Sequence, residues 1–358
     1  MASIRNRILP LFVLAILVSA CAVASPTAET PGQATLVPTQ PGIQVPTSAP
    51  IATSIAIPTS ISIPTASSAP SAIPPTPTSP PSAGIGTLVF GSDRQGGYTN
   101  IFQLNTADGN VTQLTKNESN TFPGPYSPDG SQLLFTGYGL TNSYVGVMNA
   151  DGSNPVDLSA RPNVDEGFPS WSPDGKHIAF TSRMSGNNDV YIMDANGGNI
   201  MDITNNPADD FAPAWSPDGK TIAFVSDRDI ATGVNNLYLM NVDGSNINRL
   251  TNGSEIDYGP AWSPDGKQIA FRADIEGNGD IYLINPDGSG RVNLTDNPAG
   301  DWAPAWSPDG KMIAFQTDRD GNWEIYVMNA DGSDPTNLTN NPANDEMPYW
   351  KPLPAGTE

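Results

Sequence analysis

The tetrapeptide Ser-Pro-Asp-Gly recurs at Ser127, Ser172, Ser216, Ser263 and Ser307, at spacings of 45, 44, 47 and 44 residues. Self-similarity at a period of about 20–50 residues marks a propeller, a solenoid or another repeat array. Three further elements keep the period. Apolar triplets occur as LVF from Leu88, LLF from Leu133 and IAF from Ile178, Ile222, Ile269 and Ile313. Longer runs begin at Ile101, Tyr144, Val190, Leu237, Ile281 and Ile325, and short LT-like elements end at Thr115, Ser159, Thr204, Thr251, Thr295 and Thr339. A fourth element ends in an aromatic residue at Tyr126, Trp171, Trp215, Trp262, Trp306 and Trp350.

Each element has the length of a strand and is rich in β-branched and aromatic residues. The residues between them are turn formers. In Ser-Pro-Asp-Gly, Pro presets φ at the first central position, Asp tolerates the second, and Gly takes the left-handed position that closes a hairpin. A second hairpin is predicted at the Asp-Gly pairs that start at Asp151, Asp243, Asp287 and Asp331. Four antiparallel strands per unit of about 44 residues make a propeller blade. Apolar runs on both strand faces suit sheets that stack face to face, and the absence of a 3.6-residue pattern excludes a helical solenoid. The predicted fold is all-β, a six-bladed propeller over residues 86–350.

The ends of the array predict how the ring closes. No aromatic-ending strand precedes Leu88, and one such strand, ending at Trp350, follows Thr339. Set beside Thr87–Phe90, this orphan completes the first blade as its innermost strand and removes the open edges. The unit Pro-x-Trp-Ser-Pro-Asp-Gly-Lys-x-Ile-Ala-Phe, best represented at Pro304 to Thr339, resembles the TolB-type β-propeller repeat, also called the WD40-like PD40 repeat. The resemblance covers Gly86 to Trp350 and is specific for fold more than for function. It implies protein binding. TolB-like propellers also precede α/β-hydrolase domains, but the short tail at 351–358 leads us to expect no such domain here.

The first 85 residues read as address and tether. Arg5 and Arg7 precede an apolar run of 11 residues, Ile8 to Val18, too short for the roughly 20 that a spanning helix needs. A basic start, a short apolar core and then Ser19 and Ala20 read as a signal peptide over 1–20. Cys21 follows at once, so that Val18 to Cys21 resembles a bacterial lipobox and Cys21 is the expected lipid anchor. Residues 22–84 hold 14 Pro and 31 Ser, Thr or Ala, with Glu29 the one charged side chain. Such a segment buries too little apolar surface to offset its ordering entropy. A disordered linker over 21–85 is expected, reaching roughly 50 Å as a coil and about 200 Å if polyproline-like.

A net charge of −21 argues against a nucleic-acid partner, because phosphate neutralisation needs clustered Lys and Arg. One Cys excludes a disulfide framework, and one His, His177, leaves a single candidate for nucleophilic catalysis. No G-x-S-x-G elbow accompanies it, so His177 reads as a surface side chain and no catalytic residue is assigned. Asp318, Asp320 and Asn322 resemble half of an EF-hand loop, but the twelfth position is Asn329 where a bidentate Glu is required. The Trp series reads as core packing.

Two registers remain as candidate sites. Five residues before each strand-ending aromatic stand Thr121, Glu166, Asp210, Asp257, Asp301 and Asp345, five carboxylates that closure would gather around the axis. They read either as turn caps bonded to backbone N–H groups or as a ring that attracts a cation, calcium outside the cytoplasm, or a basic peptide. No metal is assigned. One residue further on, Phe122, Phe211, Tyr258 and Trp302 read as aromatics that line the funnel or pack between blades. The favoured function is a lipid-anchored, extracytoplasmic interaction module of the cell envelope, non-enzymatic, binding a protein or peptide partner, with the preferred version a basic peptide tail. The alternative is a propeller that binds or processes glycans.

Overall fold

In the computed structural model the described residues are 86–354, apart from 160, 230–233, 254 and 276. The expected signal peptide, Cys21 and the Pro-rich linker lie outside them, as do residues 355–358 of the tail. The described residues form 24 strands in six four-stranded antiparallel sheets. The first blade holds β1 (Thr87–Ser92), β2 (Asn100–Asn105) and β3 (Val111–Gln113), and the second β4 (Thr121–Tyr126), β5 (Gln132–Tyr138), β6 (Ser143–Asn149) and β7 (Val156–Asp157). The third comprises β8 (Glu166–Trp171), β9 (His177–Ser182), β10 (Asp189–Asp194) and β11 (Met201–Asp202). The fourth comprises β12 (Asp210–Trp215), β13 (Thr221–Ser226), β14 (Asn236–Asn241) and β15 (Asn248–Arg249). The fifth comprises β16 (Ile256–Trp262), β17 (Ile269–Ile275), β18 (Asn278–Ile284) and β19 (Val292–Asn293). The sixth comprises β20 (Asp301–Trp306), β21 (Met312–Thr317), β22 (Glu324–Asn329) and β23 (Thr336–Asn337), and β24 (Asp345–Trp350) returns to the first.

The sheet order β24-β1-β2-β3 closes the ring as the end-of-array argument requires. Leu88 pairs with Trp350 and Ser92 with Asp345. The strands β4, β8, β12, β16, β20 and β24 pack against one another in cyclic order and form the inner wall. Each is irregular at its centre, where the pairing with the next strand slips in register. The slip coincides with left-handed backbone at Phe168, Ala212, Ala303 and Met347, with φ between 51° and 55°, and at Gly259. In the second blade the corresponding residue is Pro123, whose ring forbids positive φ.

Strand alternation builds the core between blades. Ile178 and Phe180 point to the second blade and pack with Leu134, Val145 and Val147. Ala179 points the other way, against Ile222 and Phe224 of the fourth. The triplet side chains from Ile178, Ile222, Ile269 and Ile313 onward are fully buried, and each large one contributes about 1.5–3 kcal/mol by leaving water. The small central Ala lets the next blade approach.

The turns behave as their chemistry predicts. In all five Ser-Pro-Asp-Gly turns the Ser hydroxyl donates to the Asp carboxylate and accepts the N–H five residues on, as Ser263 does from Gln268 at 3.0 Å. These turns define one face of the propeller. The inter-blade linkers and the starts of the inner strands define the opposite, linker face.

Candidate functional site

On the linker face the first candidate register occupies the start of the inner strands. Thr121, Glu166, Asp210, Asp257, Asp301 and Asp345 are all buried, 2% exposed or less. The linker that follows each outer strand supplies the first donor. Asn117 donates to Thr121 Oγ1 (2.7 Å), Asn297 to Asp301 (2.8 Å), Asn341 to Asp345 (2.6 Å), and Asn206 to Asp210. In the third blade Arg161 takes the place of Asn and meets Glu166 at 2.7 Å. In the first, fourth and sixth blades a Ser/Thr-Asp-Arg sequence supplies the second donor. Arg94 reaches Asp345 at 2.8 Å, Arg228 reaches Asp210 at 2.9 Å and Arg319 reaches Asp301 at 3.1 Å.

Each of these arginines also stacks on the aromatic pair of its own blade. Arg94 lies 4.9 Å from the centroids of both Phe90 and Phe102, and Arg319 lies 4.6 Å from Tyr326. The stacked guanidinium is thereby held in place before it meets the carboxylate. The Asp of the same sequence accepts the N–H preceding the ring carboxylate: Asp93 from Asn344, Asp227 from Asp209 and Asp318 from Gly300. Asp210, Asp301 and Asp345 are thus the joints at which a linker, the following inner strand and a cross-strand arginine meet. A cation or basic peptide bound by them would have to compete with these donors.

Asp257 departs from this pattern. Thr251 donates to its Oδ2 at 2.5 Å, while its Oδ1 has no partner among the described residues. Burial pushes its carboxyl up to about 7, against the pull of the Thr251 hydrogen bond and of Arg291 and Arg249. Burial also raises Glu166 and Asp210, opposed by their hydrogen bonds and their arginines.

The second register stands one residue further along: Phe122, Gly167, Phe211, Tyr258, Trp302 and Glu346. Phe122 and Phe211 are buried at 3% exposure, so their bodies serve packing, whereas Tyr258 and Trp302 are half-buried. Phe211 and Tyr258 have centroids 6.3 Å apart, and Tyr258 stacks on Trp302 at 5.8 Å. Residues of adjacent blades therefore touch around the axis and form an aromatic arc. Phe122 instead meets Tyr138 edge-on at 5.8 Å.

Two residues of this neighbourhood escaped the sequence reading. Arg272, 5% exposed, places its guanidinium 3.5 Å from the Trp302 centroid and 2.8 Å from Asp274. It is the one charged residue at the position after the triplet, where the other blades carry Gly91, Thr136, Thr181, Val225 and Gln316. Glu346 is 9% exposed, and no donor among the described residues reaches its carboxylate. Aligning the second register across blades would have exposed Glu346 as its one charged member.

The remaining candidates lie elsewhere. His177 is on the Ser-Pro-Asp-Gly face, 3.9 Å from Asp194, in a cavity of about 610 Å³ between the third and fourth blades that also contacts Trp215 and Met201. The Asp318, Asp320 and Asn322 side chains point to separate tasks. Asp318 accepts from Gly300, Asp320 accepts from Tyr326 and Asn337, and Asn322 donates to Glu324 and to linker carbonyls.

Residues 163–232 and 229–299 match the TolB beta propeller domain, PD40. TolB from Acinetobacter baumannii is 23% identical, with a TM-score of 0.65 over 75% of this chain and 67% of that one. A putative TolB from Agrobacterium tumefaciens is 24% identical, with a TM-score of 0.57 over 74% and 90%. Kuenenia stuttgartiensis hydrazine synthase is 17% identical, with a TM-score of 0.60 over 76% of this chain and 48% of that one. At these identities the shared property is the fold.

Proposed function

We propose that this TolB-like six-bladed propeller is a non-enzymatic interaction module of the cell envelope, anchored through a lipid on Cys21 and binding a protein or peptide partner at the linker face. The observation that carries the reading is the aromatic arc. Tyr258 and Trp302 keep part of their rings exposed at the centre of a rigid ring of strands, and half-exposed Tyr and Trp are the residues most enriched at binding hot spots. The one histidine lies on the other face, away from the arc, which favours binding over hydrolysis.

A photo-crosslinking residue placed at position 302 in the full-length lipoprotein, in its native envelope, tests this. The expected result is one discrete envelope protein captured from position 302 and not from position 174 on the opposite face. Capture from both positions alike would overturn the linker-face assignment, and capture from neither together with binding on a glycan array would replace the reading with the glycan alternative. The Cys21→Ala chain is expected in the soluble fraction; recovery in the membrane fraction would refute the anchor.

A further inference from the structure

Glu346 combines three properties found together nowhere else in the inner ring. It belongs to the aromatic register, at the position that Trp302 holds on the strand before and Phe122 on the strand after, and both strands pack against its own. It is nine-tenths buried. It also lacks any donor among the described residues, although the chain supplies the adjacent carboxylate Asp345 with both Asn341 and Arg94. A buried, unpaired carboxylate is costly to ionise. Here the surroundings add to that cost. Asp93 and Asp345 face it as like charges, Arg94 is committed to Asp345, and Tyr138 of the second blade approaches it. On the far side of Trp302, Arg272 is committed to Asp274.

We propose that Glu346 is the receptor for a single cationic side chain, the ammonium of Lys or the guanidinium of Arg, presented by the partner and flanked by the Trp302 ring. The proposal rests on the peptide-binding reading and adds the chemistry that the peptide must carry. The carboxylate supplies the opposite charge, and the indole face attracts the same cation. The arc by itself would accept any apolar group, so Glu346 supplies the specificity. The ring carboxylates Asp210, Asp301 and Asp345, occupied by their own Asn and Arg partners, contribute background field only.

Burial and the neighbouring acids push the Glu346 carboxyl up to about 7. A cation must find it ionised, so binding strengthens as pH rises through 7. Between pH 8 and pH 6 the ionised fraction falls about tenfold for such a group.

The test uses the full-length chain, isotopically labelled, titrated at pH 8 with the capped pentapeptide Gly-Ser-Lys-Ser-Gly. Versions with Arg, norleucine or Glu at the centre, and calcium chloride alone, are run beside it. The Lys and Arg peptides are expected to shift the Trp302 indole resonance and to bind at least tenfold more tightly than the norleucine and Glu peptides. Glu346→Gln should remove that preference, the exposed control Glu118→Gln should keep it, and Glu346→Met provides a second variant if the amide folds poorly. Equal binding of Lys and norleucine, full preference in both Glu346 variants, or a response to calcium alone would each overturn the proposal. If position 302 captures an envelope partner while these peptides show no charge preference, the cation receptor falls and the binding module stands. If the peptides bind as expected and no partner is captured, the reverse holds.

Discussion

Arg94 and Asp345 are 251 positions apart in the chain, and their side chains meet at 2.8 Å. The contact joins the loop after β1 to the first residue of β24, the two ends of the propeller. Arg94 is already stacked over Phe90 and Phe102 and bonded to Ser92. Its guanidinium is therefore pre-organised to receive the returning strand. The same arrangement recurs within the fourth and sixth blades, where its members are only 18 positions apart. Closure thus reuses a local blade joint across the chain ends.

Asp345→Asn is expected to cost about 3 kcal/mol, because it leaves a largely buried guanidinium without its counter-charge. Urea unfolding monitored by tryptophan fluorescence measures this. The exposed turn substitution Asp331→Asn should change stability by about 0.5 kcal/mol or less. Equal small losses would mean that the ion pair adds nothing to closure.

Removing residues 340–358 deletes β24 and leaves β1 with an unpaired edge. Blades that depend on nearest neighbours then fray from the gap, so the single sharp calorimetric transition should broaden or split. A truncated chain that melts in one sharp step would contradict the closure.

Asp210→Asn and Asp257→Asn should differ, although both residues share one register. Asp210 is ion-paired to Arg228, so its amide variant should lose about 3 kcal/mol. Asp257 has no direct arginine and is pushed up to about 7, so at pH 7 an amide replaces a group already half protonated. Its variant should lose about 1 kcal/mol or less. Parallel denaturation of the two variants decides the matter.

Stability should depend on pH with an unusual sign. Asp257 and Glu346 are both raised to about 7 in the folded chain, from 3.8 and 4.5. Between those limits the folded state holds more protons, so stability falls as pH rises from about 4.5 to 7 and levels off above. The turn carboxylates Asp129, Asp174 and Asp265 are lowered to about 2 by their Ser hydroxyls. Their contribution is present above about 4 and is lost as pH falls through 2. The melting temperature should therefore peak in mildly acidic buffer, and Glu346→Gln combined with Asp257→Asn should flatten the decline toward pH 8.

Gly152→Ala tests how tightly blades stack. The residue has φ 85°, and a Cβ there would lie 2.4 Å from the Leu114 carbonyl oxygen of the first blade. Left-handed strain and the clash together should cost about 2 kcal/mol. Gly186→Ala, with φ 112° but open space around it, carries the strain alone and should cost less.

The blade count, the four strands of each blade and the closing role of β24 were legible in the residue order. They rest on signals that act locally and repeat: a Pro-Asp-Gly turn, an alternating triplet, and one aromatic-ending strand left over. The six positions of the carboxylate register were legible for the same reason, since equal spacing places equal residues at the same end of each blade. Their chemistry was not, because spacing is blind to partners. Asp301 and Asp257 look alike in sequence, yet one meets Arg319 and the other meets Thr251 with an oxygen left over. The lone carboxylate of Glu346 acquired meaning only beside four aromatic counterparts and without an arginine. Whether a buried charge is paired depends on side chains brought together by folding from distant parts of the chain, and the local pattern carries no record of that distance.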